Sequence, residues 1–191
     1  MRPQLIAARS VIAAVRSEEA LTHALHSGAS AVFLLSSDIS SLPETVARVK
    51  AAGKPVFAHM DFIEGLGKDK SGAKYLSNVI RPDGVITTKS ALARYLMAEG
   101  MFVIQRFFMV DSQSFETAVR TIRDLKPDMA EIMPAVTPTA IRRMCGAVKT
   151  PVIAGGLAVT ADDVRLALDA GACALSTGAR ALWDLDTAEL G

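Results

Sequence analysis

The segment PVIAGGLAVTADDVRLALDAGACALSTG (151–178) decides the fold. Two short apolar runs, 152–154 and 174–177, flank a helical pattern. That pattern opens on Thr160 with Asp163 three positions later, the spacing of a reciprocal N-terminal cap. It closes on Gly171, where a helix commonly ends in left-handed backbone. A strand, a helix and a second strand in so short a span make a parallel crossover, because parallel neighbours cannot be joined by a tight hairpin.

Working outward, the same unit fills the chain. Further β-rich runs occur at 11–15, 31–35, 56–59, 84–87, 103–107 and 129–133, and the eight starts lie 19 to 28 residues apart. Gly28, Gly53 and Gly100 stand where Gly171 does, just past a helical pattern, and Pro82-Asp83 and Pro127-Asp128 mark the same junction elsewhere. Thr137-Pro138 reads as an N-cap followed by a first-turn proline, and Ser17 precedes Glu18-Glu19 at the first helix. Eight strands alternating with helices leave an open doubly wound sheet or a closed barrel. No G-x-G-x-x-G follows the first run, as a dinucleotide fold would want. Eight even units favour an α/β fold of the (β/α)8 barrel type, one domain over 1–191, compact, with some helices short or missing.

Composition agrees. Half the residues are hydrophobic and only 5% aromatic, with a mean hydropathy of +0.29, which suits strands buried on both faces beneath helices. No apolar run approaches the ~18 residues of a membrane span. The opening residues 1–4 are not followed by an apolar core and a small-residue cleavage site, so a cytoplasmic protein without a membrane partner is expected. The net charge of +1 provides no general field for nucleic acid, so RNA binding would need a local patch. Cys145 and Cys173, without a C-x-x-C or a histidine cluster, exclude a zinc module and argue for inert thiols. His23 and His26 fall on the polar side of the first helix.

In a barrel of this kind chemistry gathers where strands end. Strand 2 ends in Ser36-Ser37-Asp38, strand 3 in His59-Met60-Asp61 and on through Glu64, and strand 4 in Thr87-Thr88-Lys89. Strand 5 carries Gln105-Arg106, of which alternation sends one inward, and strand 6 offers Glu131 as its partner. Gly155-Gly156 after strand 7 lets backbone N–H groups approach an anion, and Ser176-Thr177-Gly178 after strand 8 adds hydroxyls and amides. A short helix starting near Ala179 would aim its N-terminus at the same point. These segments form a candidate phosphate site, with turn-forming glycines as the plain alternative. His59, Asp61 and Glu64 read either as ligand-facing or as structural. The loop 65–74, with three glycines and three lysines, reads as a mobile lid or as a solvated connection.

The strand-end segments LLSSDIS (35–41), VFAHMDFIEGLGKDKSG (56–72), PDGVITTKS (82–90), VIQRFFMVDS (103–112), PDMAEIMP (127–134), PVIAGGL (151–157) and ALSTG (174–178) resemble the glycerol uptake operon antiterminator family. The resemblance runs in order through nearly the whole chain, with HMDFIEGLGKD and IQRFFMVDS its most specific pieces. It implies a regulator that senses glycerol 3-phosphate and binds leader mRNA of glycerol-utilisation genes to prevent termination. Carried over residue by residue, the anion site is Gly155, Gly156, Ser176, Thr177 and Gly178. The ligand-facing set is His59, Asp61, Glu64, Lys89, Arg106 and Glu131. No catalytic residue, metal or cofactor is implied beyond the effector itself. Two departures stand out: Ala135 where a glycine is common, and Gly178 where a serine is common.

Basic clusters Lys68-Lys70-Lys74, Arg120-Arg123-Lys126 and Arg142-Arg143-Lys149 are available for RNA phosphates. The loop set is the expected contact, ordered by ligand, and homo-oligomerisation is left open. The rival reading is a barrel lyase or isomerase on a small phosphorylated substrate, with His59 or Glu64 as base and Lys89 as electrophile or Schiff-base amine. A third is a protein that binds the ligand and has lost RNA contact.

Overall fold

The computed structural model describes residues 5–190; the opening stretch 1–4, on which part of the targeting expectation rests, lies outside the described residues. Eight parallel strands close into a barrel: β1 (Ser10–Val15), β2 (Val32–Leu34), β3 (Val56–His59), β4 (Gly84–Thr87), β5 (Phe102–Phe108), β6 (Met129–Met133), β7 (Val152–Gly155) and β8 (Ala174–Thr177). Each strand pairs with its sequence neighbours, and β8 pairs with β1 to complete the circle. Around it lie α1 (Glu18–His26), α2 (Leu42–Ala51), α3 (Lys70–Tyr75), α4 (Ser90–Ala98), α5 (Ser112–Leu125), α6 (Pro138–Ala147) and α7 (Ala161–Asp169). An eighth helix is replaced by a 3-10 turn, Arg180–Leu182. Trp183, 1% exposed, seals that end by donating its Nε1 hydrogen to the Thr177 carbonyl at 2.8 Å.

The strands lengthen where a neighbour continues the ladder. β5 runs beyond the 103–107 expectation because Phe102 pairs with Gly84 and Phe108 with Met133. Alternation places Ile12, Phe33, Phe57, Ile86, Ile104 and Ile153 together in the barrel interior. The outward-facing set, Val11, Val32, Val56, Val85 and Val103 among it, packs beneath the helices. Among the described residues no helix is long and apolar enough to cross a membrane.

Helix ends follow local chemistry. Thr160 and Asp163 form the reciprocal cap of α7, and Ser17 accepts from Ala20 N at the start of α1. Asp111 and Ser114 make a second reciprocal cap at α5. Gly53, Gly100 and Gly171 have positive φ, as helix-terminating residues should. Gly28 does not share that conformation. Its amide instead donates to Asp184 Oδ1 at 2.6 Å, and a side chain there would press on the Trp183 carbonyl. Thr137 precedes α6, but its hydroxyl donates back to the Pro134 carbonyl at 2.8 Å rather than capping.

The Pro-Asp junctions have a further use. Arg81 and Lys126 take left-handed backbone just before Pro82 and Pro127. The aspartates that follow then accept from an amide at the start of a neighbouring strand, Asp83 from Val56 N and Asp128 from Val103 N, each at 2.9 Å. These bonds close the floor of the barrel, where strand starts would otherwise leave donors unpaired.

Interior space is tight at β4. A methyl group on Gly84 would stand 2.6 Å from the Phe57 ring and 2.9 Å from the Phe102 carbonyl. Gly84→Ala should therefore lower stability by about 1–3 kcal/mol, the usual cost of overpacking. Urea denaturation checks this, and an unchanged midpoint would contradict the packing described.

Candidate anion-binding site at the barrel mouth

Three strand ends meet on one buried carboxylate. Glu131 on β6 has no exposed surface; its Oε2 accepts from Arg106 Nε of β5 at 2.6 Å and its Oε1 from the Ser176 hydroxyl of β8 at 2.5 Å. Arg106 and Glu131 are direct partners in the β5–β6 register, so both point inward from the same level. Of the Gln105-Arg106 pair it is Arg106 that faces the interior. Gln105 is buried on the outer side of β5, with neither amide atom hydrogen-bonded to protein. Gly155 sits between the partners: a Cβ there would come within 2.4 Å of Glu131 Oε1 and 2.7 Å of Ser176 Oγ. Its glycine is thus a matter of space for the ion pair, and Gly155 lies beside the cavity rather than on its wall.

Above this cluster opens a cavity of about 400 Å³, within the size range of small-molecule sites. Its walls include Gly156, Leu157, Ser176, Thr177, Gly178 and Ala179, so the ends of β7 and β8 converge as the sequence suggested. Two hydroxyls are already engaged. Ser176 donates to Glu131, and Thr177 donates to the Ala158 carbonyl at 2.7 Å while accepting from Ala179 N. What these segments offer an anion is main chain, at Gly156 (φ +77°) and Gly178 in particular. The 3-10 turn after Ala179 is too short to act as a helix dipole. A side chain at 178 would meet only the Ala14 carbonyl at 3.6 Å, so glycine is not forced there. Ala135 is buried away from the cavity and donates its amide to the Gly156 carbonyl at 3.0 Å, bracing the loop after β7.

The cavity is cationic through Arg16, Arg106 and Arg180. Arg106 is held by Glu131, and Arg180 by Glu19 at 2.7 Å. Arg16 is exposed and belongs to no ion pair among the described residues. Neither Arg16 nor Arg180 was singled out from sequence. Arg16 follows β1 directly, so reading the end of the first strand like the other seven would have found it. Arg180 carried no comparable signal.

The remaining polar residues separate. His59 faces inward at the top of β3, 1% exposed, with no hydrogen bond to either ring nitrogen and Phe62 against its ring. Burial, with Arg106 nearby and despite Asp61, pushes its pKa down to about 4, so it is neutral at ordinary pH. Asp61 turns aside to accept from Thr87 Oγ1 at 2.6 Å and from Thr88 N and Oγ1 at 2.8 and 2.7 Å. Burial works against its charge, but these bonds prevail and keep its carboxyl below the usual range. Glu64 is exposed, drawn into a two-residue parallel ladder in which Ile63–Glu64 pairs with Ser37–Asp38. Lys89 is exposed ahead of α4. Of the ligand-facing set, the structure brings Arg106 to the cavity and Glu131 just beneath it. Asp61, Glu64 and Lys89 stand elsewhere on the rim.

The lid expectation for 65–74 changes in shape. Asp69 caps α3 by accepting from Gly72 N, so the loop is helical from Lys70 onward and continues as a π-helical turn, Leu76–Ile80. Lys68 folds back and donates to the Ile63 carbonyl, half-buried, and only Lys70 and Lys74 remain exposed. Both cysteines are free and partly buried. Burial raises the Cys173 pKa to about 11, leaving it unreactive as a thiolate. Among the described residues no group of three or more His, Cys, Asp or Glu is arranged around a common point for a metal.

Residues 11–183 match the family model described as "Glycerol-3-phosphate responsive antiterminator". The chain is 35% identical over 181 residues to uncharacterized protein YgcP of Escherichia coli K12, covering 95% of each. Among solved structures it is similar to the glycerol uptake operon antiterminator regulatory protein of Listeria monocytogenes, with 30% identity, a TM-score of 0.88, and 93% of this chain and 96% of that one covered. It is similar also to a glycerol uptake operon antiterminator-related protein of Thermotoga maritima, with 32% identity, a TM-score of 0.83, and 93% and 99% covered.

Two measurements test the site. Glu131→Gln leaves the Arg106 guanidinium buried without its counter-charge and should cost about 3–5 kcal/mol of stability; a loss below about 1 kcal/mol would mean the pair is not the brace described. For His59, the ordinary imidazole titrates near 6.5 and the folded one near 4. Between those values the unfolded chain holds more protons, so stability falls as pH falls through that window, by up to about 3 kcal/mol. His59→Phe should flatten that part of the stability–pH curve, measured by denaturant midpoints from pH 6.5 to 4, and an unaltered slope would count against a neutral buried ring.

Proposed function

The chain belongs to the glycerol-3-phosphate responsive antiterminator family, and on that premise we propose a specific division of labour within it. Glycerol 3-phosphate binds in the mouth cavity, and the occupied protein engages leader mRNA of glycerol-utilisation genes to prevent transcription termination. The observation that carries the ligand assignment is the cavity itself, where main chain from the ends of β7 and β8 faces the guanidinium groups of Arg16, Arg106 and Arg180. A phosphate dianion seated there gains amide donors on one side and positive charge on the other. Arg16 is the group left over for it, since Arg106 and Arg180 already hold carboxylates.

A regulatory rather than catalytic role fits the surroundings of the groups that an enzyme would need. A lysine becomes a nucleophilic amine when desolvated, and Lys89 is exposed at a helix start. Asp61 is committed to Thr87 and Thr88, and Glu64 is exposed on the rim and does not line the cavity. The effector is the only small molecule this reading requires.

Thermal melts with glycerol 3-phosphate, and leader-RNA titrations with and without it across a salt series, test the proposal. Ligand should raise the melting temperature and alter RNA affinity. Arg16→Gln should weaken ligand binding by roughly 10- to 100-fold, as expected for loss of a charged hydrogen bond. Equal RNA affinity in both states with a flat salt dependence would sink the regulatory reading. Borohydride trapping of a carbonyl substrate on Lys89 would replace it with the enzyme.

A further inference from the structure

The two basic clusters on the fifth and sixth helices are separate in sequence and adjacent in space. The ends of α5 and α6 bound a crevice of about 520 Å³. Arg123, Lys126 and Lys149 wall it, and Ile122, Ala147 and Val148 provide an apolar floor. Arg120, Arg142 and Arg143 extend the same charge along the two helices, and all six cations are exposed.

What distinguishes them is that six cations without an ion-pair partner gather on two adjacent helices and the turns that follow them. Elsewhere four surface arginines are neutralised, Arg9 by Asp169, Arg48 by Glu18, Arg165 by Asp162 and Arg180 by Glu19, while Arg16, Arg81 and Arg94 belong to no ion pair among the described residues. Among the described residues none of these six, on α5, α6 and the turns that follow them, forms an ion pair. Arg123 only donates to the Ala147 carbonyl, at 2.8 Å, and Arg143 lies over the Phe115 ring at 4.5 Å. The local acids are few. α5 carries Glu116 and Asp124, Asp128 is bonded to Val103 N, and residues 132–161 contain no Asp or Glu. With a net charge of +1 overall, positive charge is concentrated on this face.

We propose that the α5–α6 crevice is where the chain holds the backbone of single-stranded RNA. Unpaired guanidinium and ammonium groups would take successive phosphates, and the apolar floor would meet sugar and base faces. The proposal rests on the RNA-binding reading above and names its surface. It differs from the loop expectation, because Lys68 is spent on a carbonyl and Lys70 directly follows the acid Asp69. The crevice lies at the opposite end of the barrel from the ligand cavity, since Leu125 leads into the start of β6 and Ala147 into the start of β7.

The test compares K126Q/K149Q, whose side chains make no internal bond and should leave folding intact, with the charge reversal R123E/K126E/K149E. Labelled leader transcript is titrated over a salt series, with a glycerol 3-phosphate melt as control for fold and ligand cavity. The double variant should weaken RNA binding several-fold and reduce the log–log salt slope by about 1.4, and the triple by about 2, taking ~0.7 for each phosphate no longer neutralised. Ligand-induced melting shifts should be unchanged. Wild-type affinity and slope in both variants, weakening confined to K70E/K74E, or binding of poly-glutamate in place of RNA would overturn the surface while leaving the ligand reading intact. A wild-type chain that binds no RNA would overturn the functional reading itself, and this inference with it.

Discussion

A carboxylate with no contact with water must be paid for by its partners, and Glu131 organises the barrel mouth on that account. Arg106 supplies the charge and Ser176 the second donor, so one side chain ties β5, β6 and β8 together. Gly155 on the intervening strand is small because the carboxylate and hydroxyl occupy the space its side chain would need. The same pair fixes the electrostatics around it. Arg106 remains at the cavity as a restrained cation, and its field helps keep the buried His59 ring neutral. The cavity above is therefore built on a buried polar base, with the main chain of the β7 and β8 loops forming part of its wall.

Cationic groups gather at both ends of the barrel. At the mouth the cationic groups are few and mostly paired, which suits one small dianion. At the floor, on α5 and α6, they are numerous and unpaired, which suits a long polyanion. β6 joins these ends. It begins just after Lys126 in the crevice wall and reaches Glu131 beneath the cavity, five residues and about 17 Å of extended chain later. Asp128 fastens that strand's start to Val103 on β5, the strand that also carries Arg106. β5 and β6 thus connect the Arg106–Glu131 pair at the mouth to the floor of the barrel through one hydrogen-bonded ladder.

Much of the architecture was legible because its signals are local. Thr160 with Asp163, Ser17 with the acidic turn after it, and glycines at 53, 100 and 171 act within a few residues of themselves, and each does in the structure what its chemistry implies. Gly28 looked the same and is not, because its constraint comes from Trp183 and Asp184 at the far end of the chain. The loop after β3 departs from expectation in a similar way. Three glycines and three lysines suggest mobility, but Asp69 capping Gly72 converts half of it to helix. The pairing of Arg106 with Glu131 was readable from neighbouring strands, whereas the commitment of Ser176 and Thr177 to internal acceptors was not.

By itself the sequence determined the eightfold alternation, the parallel order it compels, and the positions at which polar groups would cluster, since periodicity and caps are properties of adjacent residues. Only the tertiary structure decided which of those polar groups share a space. Arg16 and Arg180 stand at opposite ends of the chain and meet on one cavity because β8 closes against β1. Lys126 and Lys149 meet on one crevice because successive helices pack side by side. Asp61 and Glu64, near neighbours in sequence, part company because one finds donors on β4 and the other a ladder with residues 37–38. Proximity along the chain governs how backbone is shaped, and closure of the barrel governs which charges face one another.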